Sequence, residues 1–151
     1  MEYDPPAMDV SELRKRILHA LDDARRQAKV RRESRTDAEL QWDAFLSNVA
    51  VPLFRQAASV LQAERHPFTV HTPASSVRVA SDASADTFLE LALDLSGSAP
   101  AVMGRLSIGR GRNRQTVEET PIGVGKAVAD ITEDDVARFL VTEIPKLVVR
   151  S

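Results

Sequence analysis

Arg105, Arg110, Arg112 and Arg114 cluster around the run Gly109-Arg110-Gly111-Arg112-Asn113, whose glycines and asparagine mark a hairpin loop. Guanidinium forks on a tight loop suit bidentate capture of phosphate, from a nucleic acid or a nucleotide. The run lacks the strand–loop–helix setting of a Walker loop or a dinucleotide fingerprint, so neither motif is present. A solvated hairpin tip, with arginines that discourage edge-to-edge aggregation, accounts for the same residues. A second basic group holds Arg25, Arg26, Lys29, Arg31, Arg32 and Arg35, interrupted by Glu33. On one continuous helix Arg25, Lys29 and Arg32 share a face that could track a phosphate backbone. No base-stacking aromatic lies near them, and basic residues gather at helix C-termini for the dipole alone.

The sequence offers no catalytic constellation. Glu90 and Asp94, Glu118 and Glu119, and Asp130 with Glu133, Asp134 and Asp135 are the carboxylate groups. A general acid–base pair needs two of these in one cleft with their pKa values pushed apart. Glu118 and Glu119 are neighbours on a strand and point to opposite faces, and Asp134 and Asp135 fit the first turn of a helix. His19, His66 and His71 are scattered, and there are no cysteines, so a thiolate zinc site, thiol catalysis and disulfides are excluded. No Gly-x-Ser-x-Gly elbow occurs. No catalytic residue, metal site or cofactor is therefore expected.

The elements that position these residues follow from hydrophobic period. Before Arg65-His66-Pro67 apolar residues recur at helical spacing; after it they alternate in twos; from Thr132 the helical period returns. Residues 1–8 are expected to form a flexible leader and 9–151 a single domain. Asp9 with Glu12 resembles a capping box opening a helix over about 9–31. Its stripe of Val10, Leu13, Ile17, Ala20, Leu21, Ala24 and Ala28 is narrow. Thr36 with Glu39 repeats the capping pattern, predicting a second helix over about 37–65. Its apolar face is wide: Leu40, Trp42, Phe45, Leu46, Val49, Leu53, Phe54, Ala57, Val60 and Leu61. Pro52 should bend this helix.

Strands are expected within 67–124. Phe68 and Val70 lead the first, and Val77 and Val79 the second. Leu89, Leu91, Leu93 and Leu95 alternate through the third, Val102, Leu106 and Ile108 face inward on the fourth, and the fifth ends near Pro121. Thr132 with Asp135 caps a last helix over about 133–148, which Pro145 should kink or shorten. The predicted fold class is α+β: two N-terminal helices packed on an antiparallel meander of about five strands, closed by a C-terminal helix.

The length of 151 residues supports one core, and 43% hydrophobic with 28% charged residues is an ordinary globular composition. A net charge of −2 supplies no overall attraction for polyanions. No apolar stretch approaches the ~20 residues of a membrane span and no secretory signal opens the chain, so a cytoplasmic location without a membrane partner is expected. An amphipathic helix must bury its stripe somewhere. Leu13, Ile17, Leu21 and Ala24 either fold back on the second helix or pair with another copy in a homodimer. The reading that needs no catalytic group is an interaction or scaffolding module that self-associates through its helices, its partner being itself or another protein. The alternative is a phosphate or nucleic-acid binding module using the Arg-rich hairpin 105–114 and the basic helix end 25–35. A third is a small ligand held between sheet and helix.

Overall fold

The structure, a computed structural model, describes residues 9–150. The leader expected over 1–8 lies outside them. The chain divides into two compact units, Met1–Thr36 and Asp37–Ser151. The helix α1 (Val10–Phe45) supplies all the described secondary structure of the first unit and enters the second at Asp37.

The first unit, taken by itself, is helical from Val10 onward among its described residues. Asp9 opens it as expected, its Oδ1 accepting the Glu12 N–H at 2.8 Å. Ion pairs one turn apart run along its polar faces: Glu12–Arg16 at 3.5 Å, Asp22–Arg25 at 3.6 Å and Asp23–Arg26 at 2.8 Å. Each such exposed pair contributes only about 0.2–0.5 kcal/mol.

The helix does not break over 31–36. The Thr36 hydroxyl donates back to the Arg32 carbonyl at 3.0 Å, the alternative open to a mid-helix threonine, so it caps nothing. The irregularity falls later, in a π-helical turn Leu46–Ala50, after which α2 (Val51–Ala63) begins with Pro52 in its first turn. Proline has no N–H to donate to the preceding turn, and a wider turn just ahead of it accommodates that loss.

The second unit is built on a five-stranded antiparallel meander in the order β1 (Phe68–His71), β2 (Ser76–Ser81), β3 (Phe88–Asp94), β4 (Ala101–Gly109) and β5 (Gln115–Ile122). Val77, Val79, Leu89, Leu91, Val102, Leu106 and Ile108 all lie in one buried cluster, as period-two alternation requires. Leu95 falls beyond β3. The cluster is completed by Ala50, Phe54, Ala58 and Leu61 of the helical segment and by the stripe of α3 (Glu133–Arg150). Trp42 is fully buried and its indole N–H donates to the Ser75 carbonyl at 2.8 Å, tying the end of α1 to the β1–β2 turn. On β4, Gly104 leaves the space that the Phe139 ring of α3 fills; a Cβ there would collide with the ring.

Between β5 and α3, Gly123 and Gly125 adopt positive φ of 59° and 80°, and a short 3-10 turn Val128–Asp130 follows. Thr132 and Asp135 form the expected capping box: the Asp135 N–H donates to Thr132 Oγ1 at 3.2 Å and the Thr132 N–H to Asp135 Oδ2 at 2.9 Å. Pro145 does not end α3, which continues to Arg150 with Leu147 fully buried in its last turns. Pro121 lies in β5, which pairs only with β4 and so tolerates a residue that cannot donate.

The helical stretch Val10–Ala63 contains an 18-residue window of mean hydropathy 1.2, long and apolar enough by length and composition to cross a membrane, which the sequence reading did not anticipate. The buried residues of α2, Phe54, Ala58 and Leu61, face the sheet and give that segment a core-directed use for its apolar character.

Candidate functional site

The arginine hairpin is partly spent on the protein itself. Register sets Glu90, Arg105 and Glu119 side by side across β3, β4 and β5, with Arg78 next in line on β2. Arg78 donates to Glu90 Oε2 through Nη2 at 2.6 Å and Nε at 3.1 Å, and its guanidinium lies 3.6 Å from the centroid of the Phe88 ring. Arg105 pairs with Glu119 at 3.2 Å. The result is a ladder of alternating charge across the sheet face opposite α2 and α3, in which opposite charges face each other on neighbouring strands.

Arg110 donates to the Arg150 carbonyl at 3.1 Å, satisfying an orphan carbonyl at the end of α3, and Arg150 in turn pairs with Glu118 at 2.9 Å. These contacts fasten the hairpin to the closing helix. Arg112 and Arg114 are exposed and make no side-chain hydrogen bond or ion pair among the described residues. The four guanidiniums therefore point to different tasks and do not converge. On the other basic group, Arg25 pairs with Asp22 at 3.6 Å, whereas Lys29 and Arg32 carry no ion pair among the described residues.

A basin of about 260 Å³ lies beside the charge ladder, lined by Glu90, Asp94, Ser96, Met103, Arg105 and Glu119. The Ser96 hydroxyl and then its N–H, donating to Asp94 Oδ1 at 2.6 and 2.9 Å, hold the Asp94 carboxyl below the usual carboxylate range. Lys126, 2.8 Å away, and the Thr132 N–H lower Asp135 in the same way, against a small opposing effect of burial. Both carboxylates are thereby committed to local structure. Glu118 and Glu119 point to opposite faces and to different arginines, as alternation requires. No group of three or more His, Asp or Glu among the described residues could hold a metal ion.

Glu143 escaped the sequence reading. It is 5% exposed, in the core-facing stripe of α3; its Oε1 accepts a hydrogen bond from Lys146 Nζ at 3.4 Å, whereas Oε2 has no hydrogen-bond partner among the described residues. A glutamate three residues from a lysine reads as a surface helix pair, so the sequence held no signal of its burial.

Two apolar surfaces stand out more than any polar cluster. The stripe of α1 is uncovered: Val10 is 85% exposed, Leu13 52%, Ile17 50% and Leu21 45%, and Ala24 is exposed as well. Within the second unit a groove of about 360 Å³ runs between α2 and α3, its walls including Leu53, Ala57 and Val60 on one side and Ala137, Val141 and Ile144 on the other. Among the described residues, Gln56 is the one polar side chain lining it. Such surfaces suit another apolar surface and supply nothing for bond chemistry. Compared with family models, curated proteins and solved structures, the chain gives no match.

Proposed function

We propose that the chain is a non-catalytic interaction module that self-associates through its helices, with the stripe Leu13, Ile17, Leu21 and Ala24 as the contact. The observation that carries this reading is the exposure of four large aliphatics, Val10, Leu13, Ile17 and Leu21, in one row on a helix. A row of this kind on the helical segment of the first unit suits a partner surface. Glu90, Asp94, Glu119 and Asp135 are each engaged by a neighbouring side chain.

Folding linked to association makes stability rise with protein concentration. Far-ultraviolet circular dichroism across a hundredfold range of concentration should show the helical melting temperature climbing. Replacing Leu13, Ile17 and Leu21 together by Ser should remove that dependence while leaving the sheet unit folded. A wild-type melting temperature that stays constant over the range would reject the reading.

A further inference from the structure

We propose that the basic segment of α1, residues 25–35, is a binding surface for duplex DNA, which takes the helix in its major groove. This goes beyond self-association: it uses residues other than the aliphatic row, and neither reading requires the other.

Position in the helix is the first argument. Basic residues crowded at a helix C-terminus are accounted for by the dipole, whose effect is confined to the last turn. The helix α1 does not end at this segment. It runs unbroken from Val10 to Phe45 and has no basic residue in its last turn, so the dipole does not account for the cluster. Six cations against the single acid Glu33 give residues 25–35 a formal charge of +5 in a chain whose net charge is −2. Like charges one turn apart, as in Arg25 with Lys29 and Arg31 with Arg35, disfavour the helix that carries them. A polyanion relieves that repulsion.

Availability is the second. Arg25 and Arg26 have Asp22 and Asp23 as partners, at 3.6 and 2.8 Å. Lys29, Arg31 and Arg32 carry no ion pair among the described residues, and every residue from Lys29 to Thr36 is exposed. These three cations carry the proposal.

Shape is the third. Helical spacing sets Arg25, Lys29 and Arg32 on one face, while Arg31 and Arg35 continue the line of Ala24 and Ala28. Cations therefore face more than one side of a helix that is about 16 Å long over this stretch. A membrane surface meets one side only, and an interfacial helix needs an apolar face where this segment has arginine. The major groove of B-form DNA, about 12 Å wide, admits a helix and has phosphates along both rims. Stacking aromatics, absent near these residues, serve single strands. The major groove of duplex RNA is too narrow to admit side chains.

Fluorescence anisotropy of a labelled DNA duplex of about 20 base pairs, titrated with the full chain, tests the proposal. Contact by three cations predicts a slope of about −3 in log affinity against log salt, a loss of roughly 25-fold between 50 and 150 mM. Lys29→Gln, Arg31→Gln and Arg32→Gln together keep good helix formers at exposed positions. With wild-type circular dichroism, this triple variant should bind at least ~10-fold more weakly and with a flattened slope. If the triple variant loses helix, Arg31→Gln alone decides, with a slope reduced by about 1. Arg112→Gln with Arg114→Gln should leave binding unchanged, and an RNA duplex of the same sequence should bind at least ~5-fold more weakly than DNA. No binding at low salt, or substituted α1 variants that bind as the wild type does, would overturn the proposal. Loss of binding in the hairpin variant would move the surface to the hairpin, and RNA held as tightly as DNA would remove the major groove; either result overturns it. So would sedimentation with phosphatidylserine–phosphatidylcholine vesicles in the absence of DNA binding, which would make a membrane the occupant.

Discussion

The stripe of α1 and the apolar face of α2 both place apolar side chains at helical spacing and meet opposite fates. Leu13, Ile17 and Leu21 are about half exposed, whereas Phe54, Ala58 and Leu61 are at most 5% exposed against the sheet. The difference is breadth. The α2 segment has apolar residues around much of its circumference, so one side packs on the sheet while Leu53, Ala57 and Val60 remain to form a groove wall. The α1 stripe has only one side to offer, and it is the side left open. A narrow row is the size of one partner surface; a wide face is the size of two.

That contrast is easiest to break in the core. Leu91→Ala, at a fully buried position, should destabilise the sheet unit by ~2–5 kcal/mol in a urea titration. Leu13→Ala should move the same transition by less than about 0.5 kcal/mol at concentrations too low for association. Equal losses would erase the distinction. The fully buried Leu91 is a stronger probe than Leu46 or Leu93, which the sequence alone recommends but which are only partly buried.

Gly104→Ala comes next. The added methyl meets the Phe139 ring, and overpacking of this kind costs typically ~1–3 kcal/mol. Pairing it with Phe139→Leu should recover part of the loss, which a double-mutant comparison of urea midpoints checks.

Smaller still is the capping box of α3. Thr132→Ala should cost ~1 kcal/mol, read from the same titration. Because Asp135 titrates below its unfolded value, its contribution is fully present above the unfolded carboxylate pKa. It is lost as the pH falls through the lower folded value. Asp135→Asn should therefore weaken the protein at neutral pH and matter little in strong acid, where the wild type has lost the same interaction. A deficit that persists unchanged in strong acid would contradict this assignment.

The meander was legible because Leu89, Leu91 and Leu93 alternate with Glu90, Ala92 and Asp94, and turn residues separate each strand from the next. The α3 cap was legible because Thr132 and Asp135 are local partners that need no tertiary information. Thr36 and Glu39 show the limit of the same rule. Their spacing is identical, yet a threonine inside a helix has a second acceptor in the carbonyl one turn back, and only the chain around it decides between the two. The Arg78–Glu90–Arg105–Glu119 ladder depends on register across four strands, and the groove on how α2 and α3 approach each other. Neither is a property of neighbours in sequence. The contact of Arg110 with the Arg150 carbonyl was hidden because the two residues lie 40 positions apart in the chain.

The most direct test of the account is the mass of the wild-type protein in solution, by light scattering on a size-exclusion column at several loading concentrations. The chain weighs 16.6 kDa, and association through α1 predicts a species of twice that mass at high loading. Ile17→Asp with Leu21→Asp should return it to the single-chain value with the sheet unit still folded. A wild type that elutes at 16.6 kDa at every concentration would contradict the claim that the stripe of α1 is a surface for a second copy.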